Sequence, residues 1–374
     1  MLSIGIPKET AAGETRVAAT PDSLRRLLGE GVEVVVEAGA GEAAGFRDAD
    51  YEAAGARVAD AAAVWSCPVV CKVRRPALAE LEGAAEGVLV VGLLEPHRDE
   101  GLFERLAALR ASAIAMERIP RITRAQGMDA LSSQANIAGY RAVIEAAAAL
   151  QRFFPMMMTA AGSARPARVV VLGAGVAGLQ AIATARRLGA VVEAFDVRPE
   201  VAEQVQSLGA SFIDIRLEED AHGEGGYARE LSADSQQRLR DALGERLLDA
   251  DVVISTALVP GRRAPLLIEA KTVERMRRGA VIVDLAAASG GNCELTRADE
   301  IVRVGDVTIL GPTNLPARLA TDASQFYARN VANLMGLLLH REDGDASLVL
   351  DTGDAIVDAA LVVHEGDIRH APTS

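Results

Sequence analysis

A glycine-rich segment between two apolar runs constrains the fold of this chain more than any other feature. Residues 169–172 form a valine-rich run that ends at Gly173, and Gly175 and Gly178 follow in G-x-G-x-x-G spacing, ahead of a helical pattern over residues 176–188. In a βαβ unit the first glycine permits a tight turn, the second lets the backbone approach a pyrophosphate, and the third lets the helix pack on the strand. The segment therefore predicts a strand, a turn and a helix whose positive N-terminus can bind an anion.

An acid at the end of the second apolar run supports the same interpretation. Asp196 follows Gly178 at close to the offset of roughly 20 residues at which a carboxylate accepts hydrogen bonds from a ribose 2′-hydroxyl. A glycine-rich turn that binds nothing is the alternative, but it does not account for this acid. Because a carboxylate repels a 2′-phosphate, we expect NAD(H) rather than NADP(H).

Length and composition narrow the class of protein. The chain has 374 residues, which predicts about two domains, and it is 50% hydrophobic but only 3% aromatic, which is typical of an α/β protein packed with small aliphatic residues. Its net charge of −13 argues against nucleic-acid binding, which depends on basic patches. No run of about 18 apolar residues and no N-terminal signal pattern occur, so we expect neither a membrane span nor secretion.

The three cysteines are Cys67, Cys71 and Cys293, and they form no disulfide framework, which is typical of a reducing compartment. Cys67 and Cys71 are close together in sequence, but no histidine lies near them. Buried free thiols are therefore favoured over a metal site, and we expect no bound metal.

Short apolar runs alternate with helical patterns along most of the chain. This predicts an α/β fold with two Rossmann-like, doubly wound parallel-sheet domains and a cofactor cleft between them. A long alanine-rich helix is expected over residues 137–153 and another over about residues 323–339, and apolar runs predict that the acidic C-terminal segment is folded. We expect this last part to return to the first domain, so that residues 1–132 plus 316–374 form one domain and residues 133–315 form the NAD(H)-binding domain.

Loops after later strands complete the predicted nucleotide site. In open parallel sheets, ligands bind at the carboxyl ends of the strands, so the loops at residues 256–261 and 286–293 should lie at the same edge as the glycine-rich turn. The predicted cofactor-binding residues are Gly173, Gly175, Val176, Ala177, Gly178, Asp196, Val197, Arg198, Thr256, Ala257 and Leu258.

Several segments resemble the alanine dehydrogenase/nicotinamide nucleotide transhydrogenase superfamily. They are residues 4–21 (IGIPKETAAGETRVAATP), 72–76 (KVRRP), 121–143 (RITRAQGMDALSSQANIAGYRAV), the glycine-rich unit, and 256–265 (TALVPGRRAP). The resemblance covers nearly the whole chain. Residues 121–143 are similar specifically to the NAD(H)-binding subunits of proton-translocating transhydrogenases.

That resemblance implies a homodimeric subunit without membrane helices, peripheral at the cytoplasmic face of the inner membrane. NAD(H) would bind to this chain and NADP(H) to a partner beta subunit, and a separate membrane-spanning subunit would couple reversible hydride transfer to proton passage. Direct transfer between two nicotinamides needs no general acid or base. The protein has to bring the rings to about 3–3.5 Å and exclude water.

The resemblance assigns catalytic roles to residues in the loop before the first long helix. Arg121 would contact the nicotinamide end of the cofactor, oriented by Asp129, while Ser132 would hydrogen-bond the carboxamide and Gln126 would face the partner nucleotide. Gly127 stands where the family usually has a small polar residue, a change expected to add flexibility. The alternative is a solvated loop in which Asp129 or Ser132 caps the following helix.

A polar insertion at residues 218–235 resembles the mobile loop of transhydrogenases, which closes over bound NAD(H). Gly226 is predicted to act as a hinge at the nucleotide, and Tyr227 as a rigid amphipathic part of a lid with a catalytic role. A disordered surface insertion is the alternative.

Two other classes of function remain open. An alanine-type dehydrogenase needs a lysine and a histidine to polarise and deprotonate its substrate, but Arg74 and Leu94 align with those positions, and His97 is the base only if the alignment slips. A non-enzymatic NAD-sensing module would bind NADH without hydride transfer. The charged residues of the N-terminal motif, which bind substrate in the dehydrogenases, are interpreted here as structural: Lys8, Glu9 and Arg16.

Overall fold

The computed structural model describes residues 1–29, 31–98, 101–215, 232–258 and 262–369. Gly226 and Tyr227 lie outside the described residues, so their assignment stays a prediction. The chain divides into two compact units, one formed by Met1–Gln134 with Pro316–Ser374 and the other by Ala135–Leu315.

The strands in chain order are β1 (Leu2–Ile6), β2 (Val32–Glu37), β3 (Arg57–Ala59), β4 (Val69–Arg74), β5 (Leu89–Leu93), β6 (Ser112–Ala115), β7 (Met157–Thr159), β8 (Gly162–Ala164), β9 (Arg168–Leu172), β10 (Val191–Phe195), β11 (Ser211–Phe212), β12 (Val252–Ser255), β13 (Val281–Asp284), β14 (Ile301–Val304), β15 (Val307–Leu310), β16 (Leu339–Glu342), β17 (Asp345–Leu348), β18 (Leu361–His364) and β19 (Asp367–Ile368). The α-helices are α1 (Pro21–Leu27), α2 (Asp48–Ala53), α3 (Ala61–Trp65), α4 (Leu102–Ala108), α5 (Ala130–Ala149), α6 (Val176–Arg187), α7 (Ala202–Ser207), α8 (Ala233–Leu247), α9 (Ala270–Arg275), α10 (Ala320–Leu338) and α11 (Ala355–Ala360).

An eight-stranded sheet organises the first unit, in the order β19-β18-β6-β5-β4-β1-β2-β3. The six strands from β3 to β6 pair in parallel, whereas β18 runs antiparallel to β6. Strand β4 is buried along nearly its whole length, as expected for a parallel strand covered on both faces. The acidic C-terminal segment is folded, as its apolar runs predicted, because it supplies α11, β18 and β19.

A seven-stranded sheet organises the second unit, in the order β11-β10-β9-β12-β13-β15-β14. All neighbours are parallel except β14 and β15. Leaving out the edge strand β14, this is the 3-2-1-4-5-6 order of a doubly wound dinucleotide fold, and the order reverses between β9 and β12. Two separate apolar clusters form the core of this unit. The prediction of Rossmann-like α/β architecture is confirmed.

Helix α5 differs from the helix predicted over residues 137–153, because it begins at Ala130 and ends at Ala149. Its N-terminal part contains the polar residues Ser132, Ser133 and Gln134 and therefore lacks the apolar period on which the prediction relied. Asp129 starts the helix instead, since its carboxylate accepts a hydrogen bond from the Ser132 N–H at 2.8 Å. Within the described part of the chain, no helix has the length and hydropathy to cross a membrane.

Candidate nucleotide-binding site

The glycine-rich turn joins β9 to α6 in the second unit. Gly173 adopts a φ of +96°, which favours glycine, and a Cβ atom there would lie 2.6 Å from the Thr256 hydroxyl oxygen. A Cβ atom at Gly178 would overlap the carbonyl oxygen of Gly173, so only glycine lets α6 approach the end of β9 this closely. Both glycines therefore serve the backbone functions that their spacing predicted.

Gly175 has a different environment from the other two glycines. It is exposed and caps the N-terminus of α6, and a Cβ atom at this position would have no described neighbour within 4 Å. The open space beside it suits a group that approaches the backbone from outside. The first turn of α6, which includes Val176 and Ala177, directs backbone N–H groups towards that end of the helix. The residues present thus fit the pyrophosphate of a dinucleotide.

Asp196 lies directly after β10 and is 8% exposed. Its carboxylate accepts hydrogen bonds from the Ala174 N–H at 2.7 Å and from the backbone N–H, Nε and Nη2 of Arg198, each at 2.9 Å. Burial alone would raise the pKa of Asp196, but these hydrogen bonds outweigh it and hold the pKa below its ordinary value. The carboxylate is therefore ionised, and the bond to Ala174 fixes it beside the glycine-rich turn.

The loop after β12 lies next to the same turn. Thr256 donates its hydroxyl hydrogen towards the carbonyl oxygen of Gly173, at 3.1 Å. The side-chain amide of Asn292 forms two hydrogen bonds with the backbone of Ala257. Its oxygen accepts from the Ala257 N–H at 3.1 Å, and its nitrogen donates to the Ala257 carbonyl oxygen at 2.9 Å. Leu258, the last described residue of this loop, is exposed. The structure thus brings the loops after β9, β10 and β12 together, as the sequence analysis expected.

Three residues that support this site, Asp284, Asn292 and Gly139, were not singled out from the sequence, although Asn292 lies in the loop at residues 286–293 that was expected here. Asp284 is fully buried at the end of β13 and accepts hydrogen bonds from the Asn292 N–H at 2.8 Å and from the Ser255 hydroxyl at 3.0 Å. Gly139 of α5 is required because a Cβ atom there would overlap the carbonyl oxygen of Ala177. A polar residue ending an apolar strand was the signal for Asp284, and Asn292 lies in the following loop, whereas an isolated helical glycine gave no signal for Gly139.

The loop predicted to carry catalytic residues lies in the first unit. It forms a 3-10 helix over Thr123–Met128, directly before α5. Arg121 and Gln126 are exposed. Both carboxylate oxygens of Asp129 accept from Ser132, from its N–H at 2.8 Å and its hydroxyl at 2.6 Å. The capping role of Asp129, considered as an alternative, is therefore present, and the orientation of Arg121 by Asp129 stays a prediction.

Two charged residues of the N-terminal motif, Arg16 and Glu9, are paired with other side chains of the protein. Arg16 is 3% exposed and pairs with Glu14 at 2.7 Å and with the side-chain oxygen of Gln134 at 2.8 Å. Lys72 is also buried, and Glu9 lies 3.8 Å from its Nζ. These partners support the structural interpretation of Arg16 and Glu9, while Lys8 is exposed.

The positions expected to catalyse in an alanine-type dehydrogenase are unsuited to that chemistry here. Arg74 pairs with Glu95 at 3.3 Å, and Leu94 is fully buried and apolar. His97 is exposed. Glu117, which accepts a hydrogen bond from the Leu94 N–H, has a raised pKa because of burial.

The three cysteines are free and buried, as predicted.

Comparisons with known proteins identify similar chains along the full length. Models of the family described as alanine dehydrogenase/PNT match residues 5–138 with the N-terminal domain and residues 142–371 with the C-terminal domain. The first part of the NAD(P) transhydrogenase subunit alpha of Rhodospirillum rubrum, a separate chain, is 46% identical over 379 positions, covering 99% of this chain and 98% of that protein. A crystal structure of transhydrogenase from Sinorhizobium meliloti superposes with a TM-score of 0.89 at 44% identity, covering 98% of this chain and 99% of that one. The alanine dehydrogenase of Halomonas elongata is 32% identical, covering 99% of this chain and 95% of the enzyme.

Proposed function

Since the chain belongs to the alanine dehydrogenase/PNT family, and within it to the NAD(P) transhydrogenase alpha subunits, we propose that it is the NAD(H)-binding subunit of a proton-translocating transhydrogenase. Its reaction is the reversible transfer of a hydride between NAD(H) bound here and NADP(H) bound on a beta subunit. A separate membrane-spanning subunit couples that transfer to proton passage. The chain then acts at the cytoplasmic face of the membrane through these partners.

The observation that carries the nucleotide part of the proposal is the turn from β9 to α6 with Asp196 beside it. Gly175 leaves open space at the helix N-terminus, where a pyrophosphate would bind, and the ionised Asp196 would accept hydrogen bonds from the adenosine ribose. Val197 and Arg198 continue from this acid, and Thr256, Ala257 and Leu258 form the loop after the neighbouring strand. Together they favour NAD(H) as the bound dinucleotide.

The loop in the first unit supplies the residues proposed for the nicotinamide end. Arg121 would contact the cofactor, Ser132 would bind the carboxamide, and Gln126 would face the NADP(H) of the partner. Their chemistry is positioning alone, because bound NADH supplies the hydride directly. Gly226 and Tyr227 are proposed to close over the nucleotide and exclude water.

An alanine-type dehydrogenase is the less supported alternative. That reaction requires groups that polarise a carbonyl and move a proton at the substrate carbon. The arginine at position 74 is engaged by Glu95, and Leu94 offers no titratable group. The higher identity to the transhydrogenase subunit than to the alanine dehydrogenase points the same way.

A methionine-rich hairpin supports the proposal of a homodimer. Strands β7 and β8 form an isolated two-stranded antiparallel sheet. Large apolar side chains are exposed on or beside it, namely Phe153, Met156, Met157 and Met158. A cluster of this kind marks a protein-interaction surface, and methionine adapts well to such a surface.

The proposed activity is tested by mixing the full chain with a soluble NADP(H)-binding domain of a transhydrogenase beta subunit. Reduction of an NAD⁺ analogue by NADPH is followed optically, and NADH binding to the chain alone is measured by fluorescence. A rate that requires both proteins is expected. NADH binding without any such rate would overturn the proposal, and alanine-dependent reduction of NAD⁺ by the chain alone would establish the dehydrogenase instead.

A further inference from the structure

Two asparagines of α10 hold the backbone next to Gln126. The carbonyl oxygen of Gly127 accepts hydrogen bonds from Nδ2 of Asn330 at 2.9 Å and from Nδ2 of Asn333 at 2.7 Å. Residues three apart lie on one face of a helix, so both amides reach the same oxygen. Two donors occupy both lone pairs of this carbonyl, and its direction is therefore set more closely than by a single bond.

Each of these amides is also held at its other end. The side-chain oxygen of Asn330 accepts from the Ser133 hydroxyl at 2.7 Å, and that of Asn333 accepts from Nη1 of Arg26 at 3.0 Å. An amide group is planar, with the acceptor and the donors on opposite sides. Neither asparagine can therefore rotate away from Gly127 without breaking its second hydrogen bond.

Glycine at position 127 leaves room for the Asn333 amide. A Cβ atom there would lie 2.7 Å from Nδ2 of Asn333, which is closer than real Cβ contacts. The backbone φ of Gly127 is not positive, so a side chain here would be limited by the space beside Asn333 and not by backbone conformation. Glycine here lets Asn333 approach and hold the loop backbone, whereas the sequence predicted that this glycine would make the loop more flexible.

The loop is anchored on both sides of Gln126. Ala125 and Met128, at the three-residue spacing of a 3-10 helix, are buried in the core of the first unit. Arg124 forms two hydrogen bonds with the Asp354 carboxylate, at 2.7 and 2.9 Å. The Gln126 side chain is exposed on a backbone that its neighbours hold in place.

We propose that Asn330 and Asn333 are positioning residues for hydride transfer, which act by fixing the Gly127 carbonyl and through it the direction of Gln126. This inference rests on the function proposed above, in which Gln126 faces the partner nucleotide. A displacement of about 1 Å can slow a transfer between positioned groups by roughly 100-fold. Release of this carbonyl therefore lowers the transfer rate and leaves the proposed pyrophosphate and adenosine part of the NADH site, in the second unit, unchanged.

The variant Asn333→Asp tests the role with little disturbance elsewhere. It keeps an acceptor for Arg26, and it replaces the donor to Gly127 by a carboxylate oxygen that repels the carbonyl. The matched control is Arg329→Gln, which changes the charge of the same helix by the same amount at an exposed position. With the NADP(H)-binding domain present, we expect Asn333→Asp to transfer hydride roughly 10- to 100-fold more slowly than the control, with a far smaller change in the NADH dissociation constant.

A double-mutant cycle with Gln126→Ala separates positioning from general destabilisation. If Asn333 acts through Gln126, adding Asn333→Asp to Gln126→Ala slows transfer little further. Fully additive losses, or a normal rate in Asn333→Asp, would overturn the inference.

Amide hydrogen exchange over residues 121–128 tests whether the asparagines hold the loop, independently of hydride transfer. Exchange is expected to be faster in Asn333→Asp than in Arg329→Gln, and equal exchange would overturn the inference. Absence of transfer in the unmodified chain would instead refute the proposed function, while faster exchange would still show that the asparagines hold the loop.

Discussion

At the scale of single residues, Asp196 shows how one carboxylate connects the glycine-rich turn to the choice of nucleotide. Its carboxylate accepts hydrogen bonds from Ala174 and from Arg198. A ribose that binds Asp196 therefore has to displace side-chain donors of Arg198, whereas the Ala174 N–H can remain. Without Asp196 that guanidinium could pair with a 2′-phosphate, so the acid also keeps Arg198 from favouring NADP(H).

We therefore expect Asp196→Ala to weaken NADH binding more than NADPH binding. Loss of a hydrogen bond to a charged group costs about 1.5–3 kcal/mol, which corresponds to roughly 10- to 100-fold in affinity. Fluorescence titration with both nucleotides measures the ratio, and Asp249→Ala at an exposed position of the same unit is the control. An unchanged ratio would refute the ribose assignment.

Glu9 predicts a pH dependence of stability in the first unit. Its side chain is 3% exposed, and burial raises its pKa to about 7, although Lys72 and the Val73 N–H oppose the shift. The folded state thus retains a proton that the unfolded chain releases above its ordinary pKa near 4.5. The resulting stabilisation is complete below that value and is lost as the pH rises through about 7, by roughly 3 kcal/mol.

Substitution of Glu9 by glutamine should remove this dependence. The melting temperature of Glu9→Gln relative to the unmodified chain is expected to rise between pH 5 and about pH 7 and to level off by pH 8, as measured by thermal unfolding at each pH. Glu82→Gln, at an exposed position of the same unit, should show no such trend. A difference that stays constant with pH would mean that Glu9 does not titrate in this range.

At the scale of elements, two glycines of the turn from β9 to α6 have different roles: Gly175 is expected to affect nucleotide binding, and Gly178 is expected to affect stability. Gly175 has an extended backbone that alanine can adopt and open space around it, so Gly175→Ala should change stability by less than about 0.5 kcal/mol. Its methyl group would fill the space proposed for the pyrophosphate and weaken NADH binding roughly 10-fold. Gly178→Ala should instead destabilise the unit by about 1–3 kcal/mol, because its Cβ atom overlaps the Gly173 carbonyl. Thermal unfolding and NADH titration of both variants check this contrast, and equal melting temperatures would contradict it.

Local signals explain which elements the sequence could predict. The turn and its strands were predictable because glycine spacing and apolar runs act within one βαβ unit. The predicted start of α5 at residue 137 was too late, because Ser132, Ser133 and Gln134 interrupt the apolar pattern after the cap at Asp129. Two contacts could not be predicted from the sequence: the pairing of β18 with β6 and the hydrogen bonds from Asn330 and Asn333 to Gly127. Both join residues more than 200 positions apart. Such contacts depend on the folded topology and leave no periodic pattern.

At the scale of the whole molecule, each unit has its own sheet and its own core. The nucleotide turn belongs to Ala135–Leu315, and the loop with Gln126 belongs to Met1–Gln134. The chain is closely similar over its full length to a transhydrogenase chain whose name marks it as one portion of an alpha subunit. The activity proposed above likewise includes further chains.

The methionine-rich hairpin predicts how two copies of the chain associate. Met158 is 78% exposed, and its burial in a dimer would remove apolar surface from water, so Met158→Glu should weaken the dimer by placing a charge in the interface. Ile301→Glu is the control, because Ile301 is 68% exposed on the edge strand β14 of the same unit. Sedimentation velocity should give twice the chain mass of 39.1 kDa for the unmodified chain and for the control, and a shift towards one chain mass for Met158→Glu. A monomeric unmodified chain would refute the dimer, and a Met158→Glu dimer of undiminished stability would place the interface elsewhere.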